Sequence, residues 1–224
     1  MSDYVNIFAL VEGQTEEIFI KKVLQPYFIN RQIYITPIRL SKPGEKGGDV
    51  KFSRAINDIR RHLKQRSDTY VTLLIDYYGL KEWPGLENAR GKAEPSEIAA
   101  EINNATRIKV KEELPDVDSE RRFLPNIAVH EFETYLFSDS GILSTVLGVE
   151  KSSVDEILAT FRDPEKINNS VETAPSKRIE KMNNRFKKTV TGIKIAESIG
   201  VQTMREKCSV FNNWITELES LIEA

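Results

Sequence analysis

The stretch 70–79, Tyr-Val-Thr-Leu-Leu-Ile-Asp-Tyr-Tyr-Gly, decides the fold. Its first six residues form a continuous apolar, β-prone run. A strand with one wet face alternates polar and apolar residues, whereas a strand covered on both faces does not. The run therefore predicts a central strand of a sheet with helices on either side. It stops at Asp76, a carboxylate at the end of a buried strand, and then at Tyr77, Tyr78 and Gly79.

The flanking segments fit such a sheet. Residues 4–10 (YVNIFAL) read as a strand, broken by Val11-Glu12-Gly13. From Thr15 to Phe28 the apolar positions Phe19, Ile20, Val23, Leu24 and Phe28 have helical spacing, and Pro26 is expected to kink or end that helix. Residues 32–40 (QIYITPIRL) alternate as a second strand. A Gly/Lys loop follows at 41–49, with Gly47 and Gly48 giving it the character of a lid. Helices are expected over 50–66 and 95–113, with a fourth strand at 126–129. Strands alternating with helices predict an α/β chain with a mostly parallel central sheet. Beyond residue 139 only short helices are apparent, at 153–162, 176–187, 190–199 and 209–222. The expected organisation is an α/β core over 1–140 and a helical cap or subdomain packed on it over 141–224.

Composition narrows the chemistry. The 224 residues carry 32 Lys and Arg against 34 Asp and Glu, a net charge of -2. That excludes a generally basic nucleic-acid coat protein and leaves a local basic face open. A single cysteine, Cys208, excludes a disulfide scaffold and a cysteine zinc site. Two histidines, His62 and His130, exclude a histidine cage, so any metal falls to carboxylates, as for Mg²⁺, Mn²⁺ or Ca²⁺. No apolar run approaches the length of a membrane span, and the first residues lack a signal-peptide pattern. A cytoplasmic protein without membrane contact is expected. The absence of a Walker pattern argues against ATP hydrolysis by this chain.

Acidic residues gather where strands are expected to end. Glu12 follows the first strand, Glu16 lies four residues on, Asp76 ends the central strand, and Glu131 and Glu133 follow the fourth. In an open parallel sheet, ligands collect at the carboxyl ends of the strands. Converging carboxylates repel one another and raise each other's pKa unless a cation intervenes. A divalent ion resolves the conflict and can activate water and stabilise a phosphoryl transition state. Each residue also has a plain structural role open to it: Glu12 as a turn carboxylate, Glu16 and Glu17 as partners of the helix dipole, His130 as a hydrogen-bonded core histidine.

With these residues placed, the chain resembles the DUF4276 family of bacterial proteins. The resemblance is carried by VEGQTEE at 11–17, LIDYYG at 74–79, HEFETYLFSD at 130–139, PSKRI at 175–179 and MREKCSVFNNW at 204–214. Members of that family look like Toprim domains and are similar to the catalytic half of OLD-type nucleases. The resemblance implies a Toprim-like fold, a metal-dependent nuclease activity on DNA or RNA with Mg²⁺ or Mn²⁺, an ATPase partner and a part in phage defence. Glu12 matches the acid after the first Toprim strand, and Glu16 the further acid of OLD-type enzymes. Asp76 matches the first acid of the usual Asp-x-Asp pair, but Tyr78 stands in place of the second. Glu131 and Glu133 are the remaining metal-ligand candidates.

Two basic runs complete the pattern. Residues 51–66 hold six Lys and Arg against one Asp, and 177–188 hold six against one Glu. Both read equally as solvated helix faces. In the second run, Lys177, Arg178, Lys181 and Arg185 are candidates for contacting a phosphate backbone, and Lys177 for stabilising a transition-state charge. Tyr78 and Trp83 are candidates for stacking on a base. Two further readings stand beside the nuclease: a degenerate, non-cleaving binding module, and a hydrolase of a small phosphorylated substrate.

Overall fold

The central strand of the computed structural model, which describes residues 4–40, 50–167 and 173–222, is the run 69–76. The Gly47 and Gly48 segment lies outside the described residues. In chain order the elements begin with β1 (Val5–Val11), α1 (Gln14–Phe19), a π-helical turn Ile20–Leu24, α2 (Gln25–Ile29) and β2 (Ile33–Arg39). They continue with β3 (Val50–Lys51), α3 (Phe52–Gln65), β4 (Thr69–Asp76), a 3-10 turn Tyr77–Gly79, β5 (Leu80–Lys81), α4 (Leu86–Ala89) and α5 (Pro95–Glu113). Then come α6 (Ser119–Arg122), β6 (Phe123–Leu124), β7 (Ile127–Ala128) and a 3-10 segment Phe132–Ser138. The rest is helical: α7 (Ser140–Leu147), α8 (Lys151–Phe161), α9 (Pro175–Met182), α10 (Ile193–Lys207) and α11 (Ser209–Glu219).

The sheet runs β2-β1-β4-β6, with β7 also on β4, and every described pairing is parallel. A separate short parallel pair joins β3 to β5. Strand β4 is buried along its length except at Asp76. Its side chains divide by parity, as the pleat requires. Tyr70 and Leu74 join the core formed with α1, α10 and α11, while Val71, Leu73 and Ile75 join the core formed with α3 and α5. This double burial explains why the sequence of β4 lacks alternation. The chain is thus α/β, with a mostly parallel central sheet flanked by helices and a helical carboxy-terminal part.

Three local differences from expectation have physical causes. The helix that begins at Gln14 goes on past Pro26: after the π-helical turn the proline sits in the first turn of α2, where its missing N–H costs no α-helical bond. The fourth strand is split into β6 and β7 around Pro125 and Asn126, because proline cannot donate to the ladder. The split is bridged by side chains. Asn103 Oδ1 accepts the Ile127 N–H at 3.0 Å, and Thr72 Oγ1 donates to the Leu124 carbonyl at 2.6 Å. Helix α7 was not expected; Asp139 caps it by accepting the Ile142 N–H, and Gly148 ends it in the left-handed conformation.

The residues beyond 140 share one apolar core with the sheet, which runs from Ile7 to Leu221. Trp214 of α11 donates through Nε1 to Thr72 Oγ1 at 2.8 Å, in the middle of β4. Glu165 binds the start of α11 from a distance: its carboxylate accepts the Val210 and Phe211 N–H groups at 2.8 and 3.0 Å. Cys208 is buried, with Ser138 Oγ at 3.5 Å. Among the described residues, no helix is long and apolar enough to cross a membrane.

Candidate functional site

The carboxyl ends of β1, β4 and β7 lie side by side, with Val11 opposite Leu74 and Asp76 opposite Ala128. The register therefore brings Glu12, Asp76 and the segment from His130 to one end of the sheet. Asp76 is partly buried. Its dry surroundings push its carboxyl well above the ordinary aspartate range, and the charges of Glu16, Glu12, Glu133 and Glu131 push it further the same way. The five acids singled out in the sequence thus act on one point.

Each acid is held differently. Glu12 lies against the α-carbon of Gly79, where a Cβ would stand 2.6 Å from Glu12 Oε2; only glycine leaves room for that carboxylate. Glu16 folds back over Gly13, where a Cβ would stand 3.0 Å from Glu16 Oε2. Glu17 turns away to Arg39 at 2.9 Å, outside the group. Glu131 Oε2 accepts the backbone N–H of Ser176 at 3.0 Å, in the first turn of α9. The motif PSKRI thus contributes a helix start that steadies an acid.

Glu133 is fully buried. Burial pushes its carboxyl up to about 7, against the opposing pull of Lys188. Lys188 Nζ lies 2.9 Å from Glu133 Oε1, 3.1 Å from Oε2 and 3.8 Å from Glu131 Oε1. Burial acts to lower the Lys188 ammonium, but the charges of Glu133, Glu131 and Asp76 outweigh it and hold the group above the usual lysine range. Lys188 is therefore the cation that reaches into the acidic group.

The basic residues singled out in the sequence fall elsewhere. Lys177 is exposed on α9 and pairs with Glu180 at 2.6 Å. Arg178 lies over the Phe161 ring at 4.9 Å and donates to the Thr173 carbonyl. Lys181 and Arg185 are exposed. Lys188 and Ser176 were not singled out. Lys188 closes the same basic run, and no local signal separates it from the lysines before it. Its role depends on the turn 188–192, where Gly192 packs tightly between Phe132 and Phe186.

At the rim, His130 is buried and its ring stacks with Tyr78, centroids 5.7 Å apart and planes 15° apart. Burial lowers the His130 imidazole to about 4, so it is neutral near pH 7. Its Nδ1 has no hydrogen-bond partner among the described residues. Trp83 is buried, donates to Thr106 Oγ1 at 2.8 Å and packs edge-on against Phe52.

Among the described residues, no group of three or more His, Cys, Asp or Glu side chains is placed to hold a metal ion. The donor set is nonetheless of one kind, carboxylate oxygens, which suits a hard divalent cation. Mg²⁺ is usually bound by one or two carboxylates, with water and substrate phosphate as its other ligands, and needs no three-residue cage.

A parallel α/β chain with acids collected at the carboxyl ends of three strands, and a helical carboxy-terminal part packed on its sheet, defines the class. Within it, this chain belongs to the DUF4276 family, a domain of unknown function whose model matches residues 11–219. Among solved structures, it is similar to the C-terminal region of the OLD protein of Xanthomonas campestris pv. campestris, with 13% identity and a TM-score of 0.43 over 97% of this chain and 95% of that one. No curated protein matches the chain.

Proposed function

We propose that this chain hydrolyses phosphodiester bonds of DNA or RNA with Mg²⁺ or Mn²⁺ held by one or two carboxylates drawn from Glu12, Asp76, Glu131 and Glu133. The observation that supports this reading is the Asp76 carboxylate, set at a buried strand end and faced by four glutamates. Like charges at such a point are costly unless a cation neutralises them. When bound, the metal would polarise a phosphoryl oxygen and lower the pKa of a water molecule.

The chain's own residues supply the rest. Asp76, at the end of β4, would hold the metal beside the reacting phosphate. Glu16, on the first turn of α1, orients the attacking water. Lys188 carries a proton at Nζ and offers its charge to the phosphoryl oxygens, the role the sequence assigned to Lys177. Arg178, Lys181 and Arg185, with Lys177, contact the phosphate backbone away from the cut. An ATPase partner, a role in phage defence and a cytoplasmic location rest on the family resemblance and the sequence alone, and belong to the same proposal.

A second reading, a binding module that does not cleave, is favoured by Tyr78 at the position of the second Toprim acid and by the lack of a three-residue metal group among the described residues. A nuclease assay in Mg²⁺ and in Mn²⁺ decides between them. It compares the wild type with Asp76→Ala and Glu12→Ala, with and without the ATPase. Cleavage by the wild type and its loss in both variants supports the first reading. No cleavage under any of these conditions sinks it in favour of the second.

A further inference from the structure

Tyr78 stands two residues beyond Asp76 and is 55% exposed. The ring is nevertheless held. One face stacks on buried His130 at 5.7 Å and 15°, and Tyr77 meets it edge-on at 5.2 Å. The turn that carries it ends at Gly79, whose α-carbon is covered by the Glu12 carboxylate. A large aromatic surface is thus fixed in place beside the acidic site, with part of it open to solvent.

Beyond the turn, β5 leads the chain into a cleft of about 660 Å³ built around the β3–β5 pair. Lys51, Lys81, Arg90 and Lys109 line it together with Glu82 and Glu87. Lys51 pairs with Glu82 at 2.7 Å, Arg90 with Glu87 at 2.8 Å, and Lys109 with Glu112 at 3.1 Å. Lys81 makes no ion pair among the described residues. It lies only three positions beyond Tyr78 in the sequence, a backbone span of at most roughly 10 Å. The Lys81 and Tyr78 backbones therefore lie within about two nucleotide steps of each other and both residues are exposed, a pairing that suits a base and its neighbouring phosphates.

We propose that the substrate reaches the carboxylates as a single strand, with an unpaired base stacked on Tyr78 and the adjoining phosphates carried by Lys81 along its cleft. This rests on the nucleic-acid reading above and adds strandedness to it. A paired base inside a duplex has both faces occupied by its neighbours, so it cannot use the ring without leaving the stack. Tyr78 thereby gains a function that the second acid of an Asp-x-Asp pair would not have.

The test is binding by the full-length chain, measured by fluorescence anisotropy in EDTA and again in Ca²⁺. The probes are a labelled short oligothymidylate, the same strand with its central bases removed, and a blunt duplex. The wild type should prefer the intact single strand. Tyr78→Ala should weaken that binding about tenfold and leave the abasic strand unchanged, while Tyr78→Phe stays within about twofold of wild type. Lys81→Glu should weaken intact and abasic strands alike and reduce the salt dependence. The inference is overturned if Tyr78→Ala binds the intact strand as tightly as wild type. It is equally overturned if the duplex binds as well as the single strand, or if no strand binds. Wild type that shows the expected binding pattern but cleaves nothing in Mg²⁺ or Mn²⁺ would sink the hydrolysis reading and leave this inference standing.

Discussion

Lys188 Nζ lies 2.9 Å from Glu133 Oε1, joining the turn before α10 to the segment after β7. Glu133 is fully buried, so its ionised form depends on that ammonium. Lys188→Met should destabilise the protein by about 2 kcal/mol at pH 8, less than for a fully buried pair because the lysine is partly exposed. The sign with pH follows from the raised carboxyl of Glu133, at about 7 against 4.5. Its stability contribution is full below about pH 4.5 and is lost as pH rises through about 7. Without the lysine the loss is deeper, so the variant should differ less from wild type at pH 5 than at pH 8. Urea denaturation at the two pH values checks this, and an equal difference at both refutes it.

Gly79→Ala separates stability from function. The added methyl would meet Glu12 Oε2 at 2.6 Å, the flexible end of a side chain, so the carboxylate shifts and the backbone does not. Unfolding free energy should change by less than about 1 kcal/mol, because a flexible chain end yields without straining the core. Cleavage should fall by about tenfold or more, because small displacements of a positioned group are costly in rate. Full activity in this variant would remove Glu12 from the site.

Asp76→Asn relieves the cost of keeping a buried carboxyl beside four glutamates. At pH 7.5 without metal it should raise the melting temperature by about 2–4 °C, roughly 1 kcal/mol for a chain of this size. Mg²⁺ should raise the melting temperature of the wild type and have little effect on the variant, since ligand binding to the native state stabilises it. Equal shifts in both proteins would place the ion elsewhere.

Glu165 offers a test away from the site. It is buried, and its carboxylate caps α11 through two backbone N–H groups and through Ser209 Oγ at 3.3 Å. Glu165→Ala should cost about 2 kcal/mol, the range of a lost helix cap with its donors left dry. Burial pushes the Glu165 carboxyl up to about 7 despite those bonds. Its contribution to stability is therefore full below about pH 4.5 and lost as pH rises through about 7, and the variant should show a shallower decline across that window. An unchanged slope would show that this carboxyl does not titrate there.

The parts of this fold that were legible in the sequence are those fixed by local pattern. The unbroken run before Asp76 marked a doubly covered strand, and β4 is one. The helical spacing at 95–113 became α5 with the same bounds. The break at Pro125 was not foreseen, because its remedy comes from Asn103 and Thr72, remote in the chain. The gathering of the acids at one end of the sheet was legible because strand ends are where an α/β sheet collects them, and Asp76 feels all four of the others. The lysine was not. Lys177 and Lys188 belong to one basic run, and what sets the second apart is its partner Glu133, which lies 55 positions away in the chain. Glu165 carried no signal at all, since its partners lie about 45 residues away on α11.

The bond from Trp214 to Thr72 spans 142 positions of sequence. Tyr27 reaches still further, to Glu219. During synthesis, the strand that ends in Asp76 leaves the ribosome long before the helix that completes its surroundings. At about 5–20 residues per second, the wait is of order ten seconds. Until α11 arrives, the face of β4 that carries Tyr70, Thr72 and Leu74 lacks part of its cover. The cover of that strand is thus completed only once α11 has been made, well after the strand itself.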